Sequence, residues 1–203
     1  SPSSTACIMA AIAIASIIIR APSSEGAQIF RNATDQSFRN HQDLDELVAE
    51  MLAEVRAATP AIRDLARQQP LFEGHKTILE CAIERFEAED YVSATGLLYP
   101  RIEGVLRTWK RTVDPGNYSA AALARAAATD QREERHPFSL LHPYRFEEYL
   151  RRVFFKSFDA DAPEGVGRHS VSHGVAPEND FGPKSAMIAL LTLDQLAFML
   201  RTS

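Results

Sequence analysis

An all-α chain is expected, a helical bundle preceded by an N-terminal extension, on three grounds. From Asp43 onward, apolar residues recur at three- and four-residue spacing in one segment after another. Outside the first residues, no stretch carries the apolar–polar alternation of a half-buried strand. Breaks bearing proline and glycine separate the periodic segments, as helix starts and stops do.

Taken in order, the first element rests on Leu44, Leu47, Val48, Met51, Leu52 and Val55, with acidic residues between them. Thr59-Pro60 is expected to end it and to start a second helix through Ala61, Ile62, Leu65 and Ala66, which Gln69-Pro70 closes. A third runs from about His75 to Ala88 on a stripe of Ile78, Leu79, Ala82, Ile83 and Phe86. Asp90 suits the N-cap of a fourth. That helix carries Tyr91, Ala94, Leu98, Ile102, Val105 and Trp109 on one face, with Pro100 inside it as a bend. Asp114-Pro115-Gly116-Asn117 is a turn cluster. The Ala120–Ala128 stretch is helix-prone but weakly amphipathic. A further helix over Tyr144–Phe158 buries Phe146, Tyr149, Leu150, Val153 and Phe154. Asp159–Gly167, with Pro163, Gly165 and Gly167, breaks the pattern. The last helix, from about Lys184 to Arg201, is apolar on most sides, which puts it either at the centre of the core or in an oligomer interface.

The 203 residues are 45% hydrophobic and 24% charged, ordinary for a globular chain and enough to bury a core. A net charge of −5 argues against a broad basic surface and against DNA as partner, but not against an enzyme that touches a few phosphates. Cys7 and Cys81 stand far apart with no CxxC, so neither a disulfide scaffold nor a cysteine zinc site is expected, and Cys81 reads as a small core residue. The uncharged Ala6–Ile19 run is 14 residues long. That is short of the roughly 20 that span a bilayer. It also follows SPSST rather than a basic start. It is expected to be buried or part of an interface, with a truncated membrane anchor or signal remnant as the alternative; the protein is expected to be cytoplasmic, and a membrane is not the expected partner. Three regions result: residues 1–41, an apolar segment and linker; 42–73, N-terminal helices; and 74–203, a helical domain.

The richest chemistry lies in Gly165-Val166-Gly167-Arg168-His169-Ser170-Val171-Ser172-His173-Gly174. On a helical turn His169 and His173 are four apart and share a face. RNA carries its own nucleophile, the 2′-hydroxyl. An imidazole can take that proton or protonate the leaving 5′-oxygen near neutral pH. A guanidinium can hold the extra negative charge of the pentacoordinate phosphorus. Such cleavage needs neither metal nor cofactor, and DNA, lacking the hydroxyl, resists it. A rival use of His169 and His173 is metal binding, with Glu178 or Asp180 as third ligand.

Arg168-His169-x-x-x-His173 resembles the R-x(4–6)-H motif of the HEPN superfamily (higher eukaryotes and prokaryotes nucleotide-binding), and RHSVSHG is similar to the RHxxxHG version of several bacterial members. Two earlier pieces, Asp90-Tyr91-Val92-Ser93-Ala94 and Leu98-Tyr99-Pro100-Arg101-Ile102-Glu103-Gly104-Val105-Leu106-Arg107, look like the family's preceding core helix, and the resemblance covers Gly74–Arg201. It implies a homodimeric, metal-independent endoribonuclease with Arg168 and His173 catalytic and His169 auxiliary. It further implies RNA as substrate, an antitoxin or regulatory protein as a further partner, and a toxin–antitoxin, antiviral-defence or RNA-processing setting.

Glu103 is expected either to orient Arg168 through a salt bridge or to pair with Arg107 one turn on. Tyr99 and Arg101 line an RNA groove or pack; His136, His142 and Arg145 flank prolines and either bind phosphate or belong to a plain loop; Trp109 reads as a core or interface anchor. Two other classes of function stay open at this point. One is a catalytically silent HEPN-like dimer that binds RNA, a nucleotide or a protein. The other is an oligomerisation module built on the last helix.

Overall fold

The computed structural model describes residues 44–133, 142–156, 167–174 and 176–200. The Ala6–Ile19 run, Cys7, the 21–41 stretch, His136 and residues 159–166 of the glycine-proline break lie outside the described residues. Among those described there are seven α-helices and no strand, an all-α fold.

Helix α1, Leu44–Gln68, runs straight through Pro60, so the expected break at Thr59-Pro60 does not occur. The reason is phase. Val55, Thr59, Ile62 and Ala66 are all buried and lie three or four residues apart, so one stripe continues across the proline. Proline removes the amide that Arg56's carbonyl would accept. The Thr59 hydroxyl meanwhile donates to the Val55 carbonyl at 2.8 Å. Packing of the helix on α2 and α7 outweighs the ~3 kcal/mol that an interior proline costs. Past Gln68, the Gln69 side chain donates to the Ala197 carbonyl at 2.7 Å, pinning the end of α1 to the last helix. A 3-10 turn, Pro70–His75, buries Phe72 and leads into α2, Lys76–Glu87. Cys81 on α2 is half-buried rather than a core residue.

Asp90 caps α3, Tyr91–Val113, by accepting the Ser93 amide at 3.1 Å. This helix is the hub: α2, α4, α6 and α7 all pack on it. Ala94, Leu98, Ile102, Val105 and Trp109 face inward as the spacing requires. Tyr99 is core as well, 2% exposed and stacked on Phe154 with centroids 5.5 Å apart, which removes it from any RNA groove. The Trp109 Nε1 donates to the Ala126 carbonyl at 3.0 Å, tying α3 to α4, Ala120–Glu133. The buried face of α4 is Leu123 among alanines, and small side chains let it lie close.

Of the helix expected over 144–158, residues 157 and 158 lie outside the described residues, and the rest is two structures. Helix α5 spans His142–Tyr149 and passes into a π turn over Leu150–Phe154, where the Phe155 amide donates to the Leu150 carbonyl five residues back at 2.8 Å. After the short α6, Arg168–Ser172, and a 3-10 turn over Glu178–Asp180, α7 spans Pro183–Met199. Of its two possible roles α7 takes the first. Ala186, Met187, Ala189, Leu190, Leu193, Leu196 and Ala197 are all buried within this single chain, against α1, α3 and α4. That leaves the oligomerisation-module reading without its apolar face. The core is continuous across the 73/74 boundary, since Val55, Ile62 and Ala66 belong to the same cluster as the α3 and α7 residues. Among the described residues no helix is long and apolar enough to cross a membrane.

Candidate active site

Helix α6 is built to present its ends. Gly167 precedes it in extended backbone, at φ −135°. A Cβ there would meet the Val153 carbonyl oxygen at 3.1 Å and that of Phe154 at 3.4 Å, so the π turn presses on this position and leaves room for glycine. The buried Ser170 hydroxyl donates to the Gly167 carbonyl and accepts the Gly167 amide, each at 3.0 Å, closing the entry from inside. At the exit the His173 amide donates to the His169 carbonyl at 3.0 Å, and Gly174 turns the chain at φ +68°, a left-handed value that suits glycine. Val171, 8% exposed, anchors the segment to the core.

Against this frame the candidate side chains form one chain of contacts. Glu103 on α3 is 6% exposed and divides its carboxylate between two arginines. Its Oε1 accepts from Arg107 Nε at 2.7 Å, and its Oε2 is paired with Arg168 Nε. The two pairings expected as alternatives therefore both form. Arg168, 22% exposed, donates through Nη1 to His169 Nδ1 at 3.0 Å. The His169 ring lies parallel to that of His173, with centroids 6.1 Å apart and planes within 5°. Arg107, Glu103, Arg168, His169 and His173 are thus linked in sequence, and His173 is exposed.

The charges are arranged to keep His169 neutral. Burial first, then the Arg168 cation and then His173, hold its imidazole below the ordinary value of 6.5. A guanidinium has only donors, so Nδ1 must be the acceptor in its hydrogen bond and the neutral ring carries its proton on Nε2. Arg101 acts elsewhere. Burial and then the Arg101 charge lower the imidazole of the half-buried His75, whose Nε2 lies 3.3 Å from Thr108 Oγ1.

Among the described residues no three His, Cys, Asp or Glu side chains are grouped to hold a metal ion, so His169 and His173 gain no third ligand from Glu178 or Asp180. Sequence reasoning missed Tyr118, whose ring lies under the Arg107 guanidinium with Cζ 6.0 Å from its centroid. Only its place between a turn cluster and a helix start marked it. Compared with known proteins, the chain matches no family model, no curated protein and no solved structure.

Proposed function

We propose that the chain is a HEPN-type, metal-independent endoribonuclease in which Arg168, His169 and His173 act on one phosphodiester. The observation that carries this reading is the Glu103–Arg168–His169 chain of contacts ending at the exposed His173 ring. Glu103 holds Arg168 by Nε, and the terminal nitrogens retain donors for a phosphate oxygen. His169, neutral and protonated on Nε2, offers a hydrogen bond to substrate rather than a base. Proton transfer therefore falls to His173.

In the first half of the reaction the 2′-oxygen forms its bond to phosphorus as its proton passes to an imidazole. The phosphorane charge rests on Arg168. The bond to the 5′-oxygen then breaks as that oxygen is protonated, leaving a 2′,3′-cyclic phosphate. Proton transfer of this kind contributes about 10²–10⁴-fold. A homodimer would bring a second, exposed His173 to supply the complementary acid or base.

The test is cleavage of RNA in EDTA with end-group analysis of the products. A 2′,3′-cyclic end, lost in His173→Ala and in Arg168→Ala, is the expected result; cleavage that survives both substitutions rejects the reading. The silent-domain alternative has its own observation, the commitment of Arg168 to two protein partners. RNA binding with no turnover between about pH 5 and 8, the range over which imidazole titrates, would favour it.

A further inference from the structure

Beyond the reacting groups, Arg107 and Tyr118 stand as an unassigned pair beside Arg168. Glu103 pairs with Arg107 through one carboxylate oxygen and with Arg168 through the other, so the two guanidiniums flank a single carboxylate. Arg107 is 45% exposed, so its cationic end reaches water while its Nε is held.

Tyr118 is fixed by its neighbours in the chain. Asn117 Oδ1 accepts the Ser119 amide at 3.0 Å, and Ser119 opens α4, its hydroxyl accepting the Ala122 amide at 3.4 Å. Gly116, two residues before it, takes a φ of +121°, a left-handed value that suits glycine. The ring is half-buried, with the Arg107 guanidinium over one face. An aromatic ring beside a guanidinium, next to a cationic phosphate site, is the combination that binds single-stranded nucleic acid by stacking a base and pairing its phosphate.

We propose that Arg107 and Tyr118 form a nucleotide subsite adjacent to the scissile phosphate, with Tyr118 stacking the neighbouring base of a single-stranded RNA and Arg107 holding its phosphate. The subsite rests on the ribonuclease reading, and it makes the enzyme selective for unpaired RNA, because a base within a duplex cannot reach the ring.

The experiment uses a 2′-fluoro RNA decanucleotide, which cannot be cleaved by 2′-hydroxyl attack, and measures its Kd for the full chain in EDTA. Tyr118→Leu should weaken binding about tenfold and Tyr118→Phe should leave it nearly unchanged, as stacking requires. Arg107→Gln should weaken it and flatten its salt dependence. An abasic nucleotide moved along the probe should cost wild type the same factor at one position, and cost Tyr118→Leu nothing there. Equal Kd for wild type and a folded Tyr118→Leu, or a loss that ignores the abasic position, overturns the subsite. Wild type that binds with this pattern but cleaves nothing sinks the nuclease reading and leaves the subsite standing. Cleavage with Kd and KM indifferent to Tyr118 and Arg107 does the reverse, and a wild type that does not bind the probe overturns the subsite.

Discussion

Arg168 Nη1 and His169 Nδ1 are 3.0 Å apart, and because only the guanidinium can donate, that one bond fixes the tautomer of the imidazole. A proton added to His169 would have to go to Nδ1, into the face of Arg168. Burial opposes the same step. Nitrogen-15 NMR should therefore find His169 as the Nε2–H tautomer at pH 7, titrating below 6.5, and Arg168→Ala should move that titration upward. The stability consequence has a definite sign. With the folded value lowered, the unfolded chain takes up a proton first as pH falls through 6.5, so stability from this group is present above that pH and is lost below it. His169→Gln should flatten stability against pH over that window. A titration at or above 6.5 in the folded protein would contradict the hydrogen bond.

Glu103 holds two cations with one nearly buried carboxylate, and its removal leaves Arg168 partly buried and unpaired. Breaking a buried ion pair from one side costs about 3–5 kcal/mol, and the residual exposure of Arg168 and Arg107 sets the expectation for Glu103→Ala near the lower end, about 3 kcal/mol. The double change Glu103→Leu, Arg168→Met removes both charges and should regain most of that stability. RNA cleavage should not return with it. Denaturant unfolding checks the first part and product analysis the second. A double variant as unstable as Glu103→Ala would mean that packing, not the uncompensated charge, is the cause.

Ser170 closes α6 onto Gly167 with two hydrogen bonds at 3.0 Å while itself only 3% exposed. Ser170→Ala leaves the buried Gly167 amide without that partner, while the carbonyl keeps the Val171 amide at 3.1 Å, a cost of about 1–3 kcal/mol. Gly167→Ala acts from the opposite side by pressing a methyl on the Val153 carbonyl, for about 1–3 kcal/mol of overpacking. Both should lower kcat more than their loss of stability explains, because Arg168 and His169 are the next residues along. Unchanged kcat in a folded Gly167→Ala would show that the π turn does not position the site.

The sequence made the helices legible where one apolar stripe served one helix, as in α3, whose Ala94, Leu98, Ile102, Val105 and Trp109 all face inward. It misled where a local rule met a tertiary opponent. Pro60 is a helix breaker by itself, yet the stripe from Val55 to Ala66 stays in phase through it. The π turn at Leu150–Phe154 had no counterpart in the periodicity, since one extra residue in a helix leaves no mark in so short a segment. At the site, Arg168, His169 and His173 were visible because chemistry-bearing residues cluster there in the chain. Glu103 was visible only as a choice between partners, and carboxylate geometry let it take both. Tyr118 was invisible because it joins the site through a loop fold, which no spacing rule encodes.

Pro60 offers the sharpest test of the balance between local cost and packing. It is exposed, lies inside α1 and contributes no buried side chain. Alanine would restore the amide that Arg56's carbonyl lacks, a gain of about 3 kcal/mol for a helix interior. Part is offset because proline also stiffens the unfolded chain, worth about 0.4–1 kcal/mol. The expectation for Pro60→Ala is therefore a stabilisation of about 2 kcal/mol, or an increase in Tm of roughly 4–8 °C for a chain of this size. RNA cleavage should be unchanged. A lower Tm would mean that α1 needs the bend a proline imposes to seat Val55 and Ile62 in the core at once, and that the residue is there for shape.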